Sequence, residues 1–175
     1  MSKFLRYAAV GAALASLGIA SGAQAATSDS ANVSATILTA LSVAVDPTDN
    51  TLDFASIAPG ATAATVVVAP SGALTCAASV ICSGTANAPT FNITGAANTA
   101  VYVRFTNPTE TLSSGANSMT VDTFTTNLPT AATVGTATTD GLGAASFTVG
   151  GSLHVGASQA AGTYTGTLTV NVAYN

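Results

Sequence analysis

The amino-acid sequence predicts an all-β protein folded as a single β-sandwich, on three observations. The last fourteen residues, Gly162 to Asn175, alternate without a fault. Tyr164, Gly166, Leu168, Val170, Val172 and Tyr174 share one parity, while Thr163, Thr165, Thr167, Thr169 and Asn171 share the other. A period of two gives a strand one dry face and one wet face. Earlier in the chain, short runs rich in Val, Ile, Phe and Thr are broken by Pro, Gly, Asp and Asn, roughly every 8–15 residues. No helical period of apolar residues occurs after residue 25. Seven or eight short strands spaced in this way argue two packed antiparallel sheets.

Residues 1–25 read as a secretory signal. Lys3 and Arg6 begin it, Ala8 to Ala20 form its apolar run, and Ala23-Gln24-Ala25 supplies a small-x-small cleavage site. Gly11 and Gly18 interrupt the run, which falls short of the ~20 apolar residues of a spanning helix. No cysteine follows it to carry a lipid. Residues 26–175 then form one domain, without linker or repeat.

Within that domain Val33, Ala35, Ile37, Leu41, Val43 and Val45 share odd parity, broken only by Thr39, and predict a long opening strand. Asp46-Pro47-Thr48-Asp49-Asn50 is a turn, because Asp and Asn bond their own backbone and Pro presets φ. Leu52, Phe54 and Ile57 make a short apolar segment before the turn at Pro59-Gly60. Thr62 to Val68 is a β-branched strand that ends at Pro70-Ser71-Gly72. Phe91–Ile93, Val101–Phe105 and Met119–Phe124 are further strands. Asp140-Gly141 is a hairpin-type turn into Ala145–Val149, and Gly150-Gly151 a bulge before Leu153–Val155. The closing strand, at about 3.3 Å per residue, would run roughly 36 Å. Its free edge must be paired or covered, since an open edge invites polymerisation.

Charge excludes several function classes. Once residues 1–25 are removed, Arg104 is the only basic residue besides His154. All seven acids remain (Asp29, Asp46, Asp49, Asp53, Glu110, Asp122 and Asp140), so one arginine against seven carboxylates leaves a net charge of −6. Such a chain neutralises no phosphate backbone and is not drawn to anionic lipid. Cys76 and Cys82 enclose five residues and are the only thiols. In an exported chain they predict a disulfide that pins one loop. Two cysteines and one distant histidine do not make a metal site.

The inventory for catalysis is thin. His154 alternates with Leu153 and Val155, which places it on the polar face of a strand with Ser152. Gly150-Gly151-Ser152-Leu153-His154 lacks the final glycine of a nucleophile elbow, and the expected fold lacks its strand-to-helix turn. Asp46, Asp49 and Asp53 with Asn50 could offer oxygens to calcium, but they lack the alternation and the glycine of a calcium loop; turn capping is the reading. Asn32-Val33-Ser34 and Asn92-Ile93-Thr94 match a glycosylation acceptor but fall in expected strands. Phe54, Phe91, Phe105, Phe124 and Phe147 sit inside strand patterns and belong to the core, leaving Tyr102 as the one aromatic candidate for a sugar-binding face. No catalytic group, cofactor or metal is expected.

Glycine at the fourteenth position from the end, Gly162, and the penultimate Tyr174 resemble the C-terminal signature of chaperone–usher pilus subunits. Asn32 to Val43, followed by Leu52-Asp53-Phe54, resembles the opening of the spore coat protein U group and of archaic pilins. Val149-Gly150-Gly151-Ser152-Leu153 and the closing run Gly162 to Val170 are similar to a related domain-of-unknown-function family of small secreted bacterial proteins. Together these resemblances cover nearly all of residues 31–175.

They imply an immunoglobulin-like, pilin-like sandwich that lacks one strand. A periplasmic chaperone and then the N-terminal extension of the next subunit complete such a fold, with export through an outer-membrane usher. The implied donor is residues 26–38, with Val33, Ala35 and Ile37 as its apolar parity; the implied groove strand carries Gly162, Tyr164, Leu168, Val170, Val172 and Tyr174. Two departures stand out: Leu41 takes the place of the coat group's cysteine, and residues 26–38 hold no glycine. The expected function is a structural subunit of a surface fibre or coat, exported through the periplasm to the cell surface and assembled by strand complementation with copies of itself. The alternatives are a self-contained secreted sandwich, in which residues 31–45 serve as its own strand, and a secreted carbohydrate-binding module.

Overall fold

The structure, a computed structural model, describes residues 28–129 and 135–175. The expected signal sequence, its cleavage site after Ala25, and residues 26–27 of the candidate donor lie outside the described residues. The chain divides into two units, Met1–Ala35 and Thr36–Asn175. Residues 28–40 carry no helix or strand, and each of them is exposed.

Beyond Leu41 the described chain is all-β, with twelve strands. These are β1 (Ser42–Val45), β2 (Ser56–Ala58), β3 (Ala64–Val68), β4 (Leu74–Cys76), β5 (Ile81–Ser83), β6 (Thr90–Thr94), β7 (Ala100–Phe105), β8 (Thr109–Ser114), β9 (Asn117–Thr126), β10 (Gly135–Thr138), β11 (Ala144–Val155) and β12 (Val170–Tyr174). The larger sheet runs β1-β6-β11-β3-β4, with β9 also on β11 and β8 beyond β9. The smaller sheet runs β10-β7-β12, and β2 and β5 form a separate ribbon. Cys76 and Cys82 are joined by a disulfide, which ties the end of β4 to β5.

β11 is the spine. Residues 144–148 pair with β6 and residues 151–155 with β3, while β9 pairs from Val149 to His154. The register with β9 shifts between Gly150 and Ser152, which is the bulge expected at Gly150-Gly151. Glycine is needed there, because a Cβ on Gly150 would stand 2.3 Å from the Val68 carbonyl oxygen. The sequence reading placed separate runs on either side of this bulge; they are one twelve-residue strand.

Two apolar clusters fill the sandwich. One gathers Phe54, Val66, Val68, Val121, Leu153 and Val155 around the C-terminal half of β11. The other joins Phe91, Ile93, Phe147 and Val149 of the larger sheet to Val101 and Val103 of the smaller one. The Phe91 and Phe147 rings stack with centroids 5.4 Å apart. Full burial of a valine or phenylalanine contributes about 1.5–3 kcal/mol, so these clusters dominate the folding free energy.

Three expectations need correction. The opening strand, expected from Val33 to Val45, forms only at Ser42–Val45. The closing strand forms a ladder only at Val170–Tyr174, and Thr165 makes an isolated bridge with Ser113. Alternation fixes which side chains face inward, but a ladder also requires a neighbouring strand. The turn at Asp140-Gly141 does not close a hairpin: β10 belongs to the smaller sheet and β11 to the larger, so the turn carries the chain across the sandwich. Asp140 Oδ1 accepts the Leu142 and Ala144 amides at 2.8 and 2.9 Å. Those amide bonds, Ala144 first, hold its carboxyl below the ordinary 3.8.

Candidate functional site

The C-terminal chain runs past two consecutive strands that lie in different sheets. Thr165 exchanges backbone hydrogen bonds with Ser113 of β8, at 2.8 and 3.1 Å. Further on, the Thr169 carbonyl accepts the Thr106 amide at 3.0 Å, and β12 then pairs with β7. Val170 follows Thr165 by five positions, whereas their partners Phe105 and Ser113 are eight positions apart. The β7–β8 chain takes the longer path, and residues 166–168 are left out of the backbone hydrogen bonds that flank them.

A cavity of about 530 Å³ lies at this gap. Val43 and Val45 of β1 line it from one side, Leu168 and Val170 from the other, and Phe54 and Phe124 are among its walls. Thr165, Thr167, Thr169, Asn50 and Glu110 give it a polar rim. β12 pairs only with β7, and β1 only with β6. Each therefore keeps one edge without a partner among the described residues, and β1 and β12 are neighbours across the sandwich. The site is an apolar groove at a seam between two strand edges that have no partner among the described residues.

A family model, the domain of unknown function DUF4402, matches residues 41–174. The chain belongs to this family. No curated protein and no solved structure matched it. The DUF4402 domain begins at Leu41, where the exposed residues 28–40 give way to β1.

Tyr164, Leu168 and Val170 of the DUF4402 domain line the groove. Tyr164 is fixed there by its hydroxyl, which donates to the Ala160 carbonyl at 2.8 Å and accepts from Gln159 Nε2 at 2.8 Å. Gly162 lies against Ser114. Val172 and Tyr174 pack on the second core cluster and are not among the lining residues. Val33 and Ile37 are each 95 % exposed, and Ala35 is exposed. Sequence reasoning missed the far wall. The shared parity of Val43 and Val45 was the available signal, but it showed an apolar face and not what that face would meet.

Elsewhere in the DUF4402 domain, polar side chains serve their own turns. Asp46 Oδ1 accepts the Thr48 amide and hydroxyl at 2.9 and 2.7 Å, and these bonds lower its pKa from 3.8, the hydroxyl contributing most. Asp49 accepts from the Asn87 amide group and from the Thr90 hydroxyl, and Asp53 accepts the Ala55 amide. The oxygens weighed for calcium thus hold together the turn, β6 and the chain before it. His154 is exposed, with Nε2 2.9 Å from Asp122 Oδ1 and Nδ1 3.4 Å from the Thr65 hydroxyl. The His154 bond, and then that from Thr123, lowers the Asp122 pKa. Ser152 is not among the hydrogen-bond partners of His154. The rings of Phe105 and Phe124 pack at 5.1 Å, and Tyr102 is half-buried in β7.

Proposed function

We propose that this protein is an exported structural subunit of a surface fibre or coat, assembled by donation of an extended strand between copies. The observation that carries the reading is the pair of unpaired edges, β1 and β12, flanking an apolar groove. The occupant is residues 26–38 of a second copy. Their apolar parity includes Val33 and Ile37, which stand 95 % exposed in the free chain. An added strand gains backbone hydrogen bonds along an open edge and fills the groove with alternate side chains. Donor and groove are different surfaces of one chain, so the contact is heterologous and propagates as an open fibre. A periplasmic chaperone would hold the groove until the next subunit arrives, and an outer-membrane usher would export the product.

The test is an SDS gel of unheated exported protein. Strand exchange gives a ladder that collapses to monomer on boiling, and removal of residues 26–38 abolishes the ladder while a synthetic peptide of residues 26–38 still binds. A monomer at every concentration, with no peptide binding, is the result that would overturn the proposal.

A further inference from the structure

The Tyr174 hydroxyl ties the last residue of the DUF4402 domain to the chain just before its first. It donates to the Thr39 carbonyl at 2.6 Å and accepts the Ala96 amide at 2.6 Å. Ala96 is buried, and the tyrosine ring packs on the second core cluster. The neighbouring Gly95 makes room, since a Cβ there would stand 2.5 Å from the Tyr174 hydroxyl and 2.8 Å from Leu41 Cδ1. The groove makes no use of this contact, because its lining ends at Val170 on the C-terminal chain. The contact instead fixes the chain just before β1.

We propose that Tyr174 is a latch: by holding Thr39 it keeps the N-terminal segment from turning back into its own groove and so commits that segment to a second copy. The inference rests on the strand-donation reading and adds what decides between self and partner. Residues 28–38, fully extended, span at most about 36–40 Å, so length alone does not forbid self-insertion. A tethered segment also has the advantage of effective concentration, in the millimolar range for a short flexible link, over a separate molecule. Without a constraint, each chain would complete itself and assembly would stop. To lie beside β1 of its own sandwich, the segment must reverse direction ahead of Ser42. With Thr39 held by the tyrosine hydroxyl and Leu41 beside Gly95, the residues next to β1 are not free to make that turn, and an incoming strand from another copy does not need it.

Tyr174→Phe removes the hydroxyl and keeps the ring. Gly95→Ala displaces the same hydroxyl from a different residue, and it carries the test should the phenylalanine variant fail to fold by circular dichroism. Two quantities are measured on exported protein: the rate of ladder growth on unheated gels, and hydrogen exchange of residues 28–38 in the monomer fraction. The latch demands at least tenfold slower growth in the variants, with residues 28–38 protected in their monomers and unprotected in wild-type monomers. Growth at the wild-type rate with an unprotected segment overturns the latch and leaves strand donation standing. A wild-type monomer that never forms a ladder and does not bind the 26–38 peptide overturns strand donation itself, and the latch falls with it.

Discussion

β11 has partners along both edges, whereas β12 has a partner along one. The inward side chains of β11 are correspondingly sealed: Phe147, Val149 and Leu153 are 1 %, 0 % and 2 % exposed. On the C-terminal chain Val170 reaches 8 %, and Leu168, Val172 and Tyr174 stay half-buried. Both segments alternate apolar and polar residues equally well. The difference teaches that sidedness comes from a strand's own residues, while rigidity comes from its neighbours. A strand held on both edges supports the fold, and one held on a single edge has hydrogen-bonding capacity left for another chain.

The sharpest way to break this comparison is to cut one large side chain from each strand. Phe147→Ala should cost about 3–5 kcal/mol, the usual range for a buried phenylalanine, and denaturant unfolding reads it directly. Val172→Ala, on the half-buried edge strand, should cost clearly less, about 1 kcal/mol. Equal losses would show that β12 is as much a part of the core as β11. Removing the disulfide by Cys76→Ser with Cys82→Ser should lower stability by about 2 kcal/mol, as the closure of a small loop gives in the chain-entropy model. Cys76 and Cys82 pack on the cluster of Phe54 and Val121, which also line the groove, so peptide binding there should weaken along with stability; unchanged binding would show the two regions to be independent.

Acid should act on the connection into β11 more than on β12. The Asp46, Asp122 and Asp140 pKa values all lie below the ordinary 3.8. Folding therefore favours their charged forms, and that stabilisation is complete above pH 3.8 and lost as pH falls through the lowered folded values. Asp140→Asn should reduce the acid sensitivity of unfolding, with a small change at neutral pH, because its amide bonds lie in the turn leading into β11. Acid titration curves for wild type and variant that differ only by a constant would contradict this assignment. The smallest effect expected is proteolytic. Arg104 is the only tryptic residue after position 25, and its strand, β7, lies between β10 and β12. Native protein should resist trypsin, and two large fragments at low protease would show that β12 opens readily.

The sequence foretold the inward and outward faces closely, because alternation is local and each residue carries its own part of it. Val101, Val103, Phe147 and Val149 were assigned to strands from their neighbours alone, and all four are buried. The bulge at Gly150-Gly151 was legible for the same reason. Partners were not legible. Nothing adjacent to Thr165 says that β8 lies beside it, and nothing near Asp140 says that the chain changes sheet there. β8, Thr109–Ser114, escaped notice because Thr and Ser dominate its sequence and Leu112 is its single apolar residue. Tyr164, Leu168 and Val170 share one parity in the sequence and line the cavity, but the parity names no opposite wall. Val43 and Val45 joined the cavity only when the two sheets were stacked.

The short polar contacts of the loops bear on how this chain meets changing salinity. Asp46 and Asp140 are held by backbone amides and, at Asp46, a hydroxyl as well. The His154–Asp122 contact is the one ion pair found among the described residues, formed when the histidine is protonated. Dissolved ions screen separated charges over about 10 Å at 0.1 M, but they do little to a hydrogen bond already closed between a carboxylate and the amide facing it. Melting temperature should therefore be nearly the same at low and at high salt.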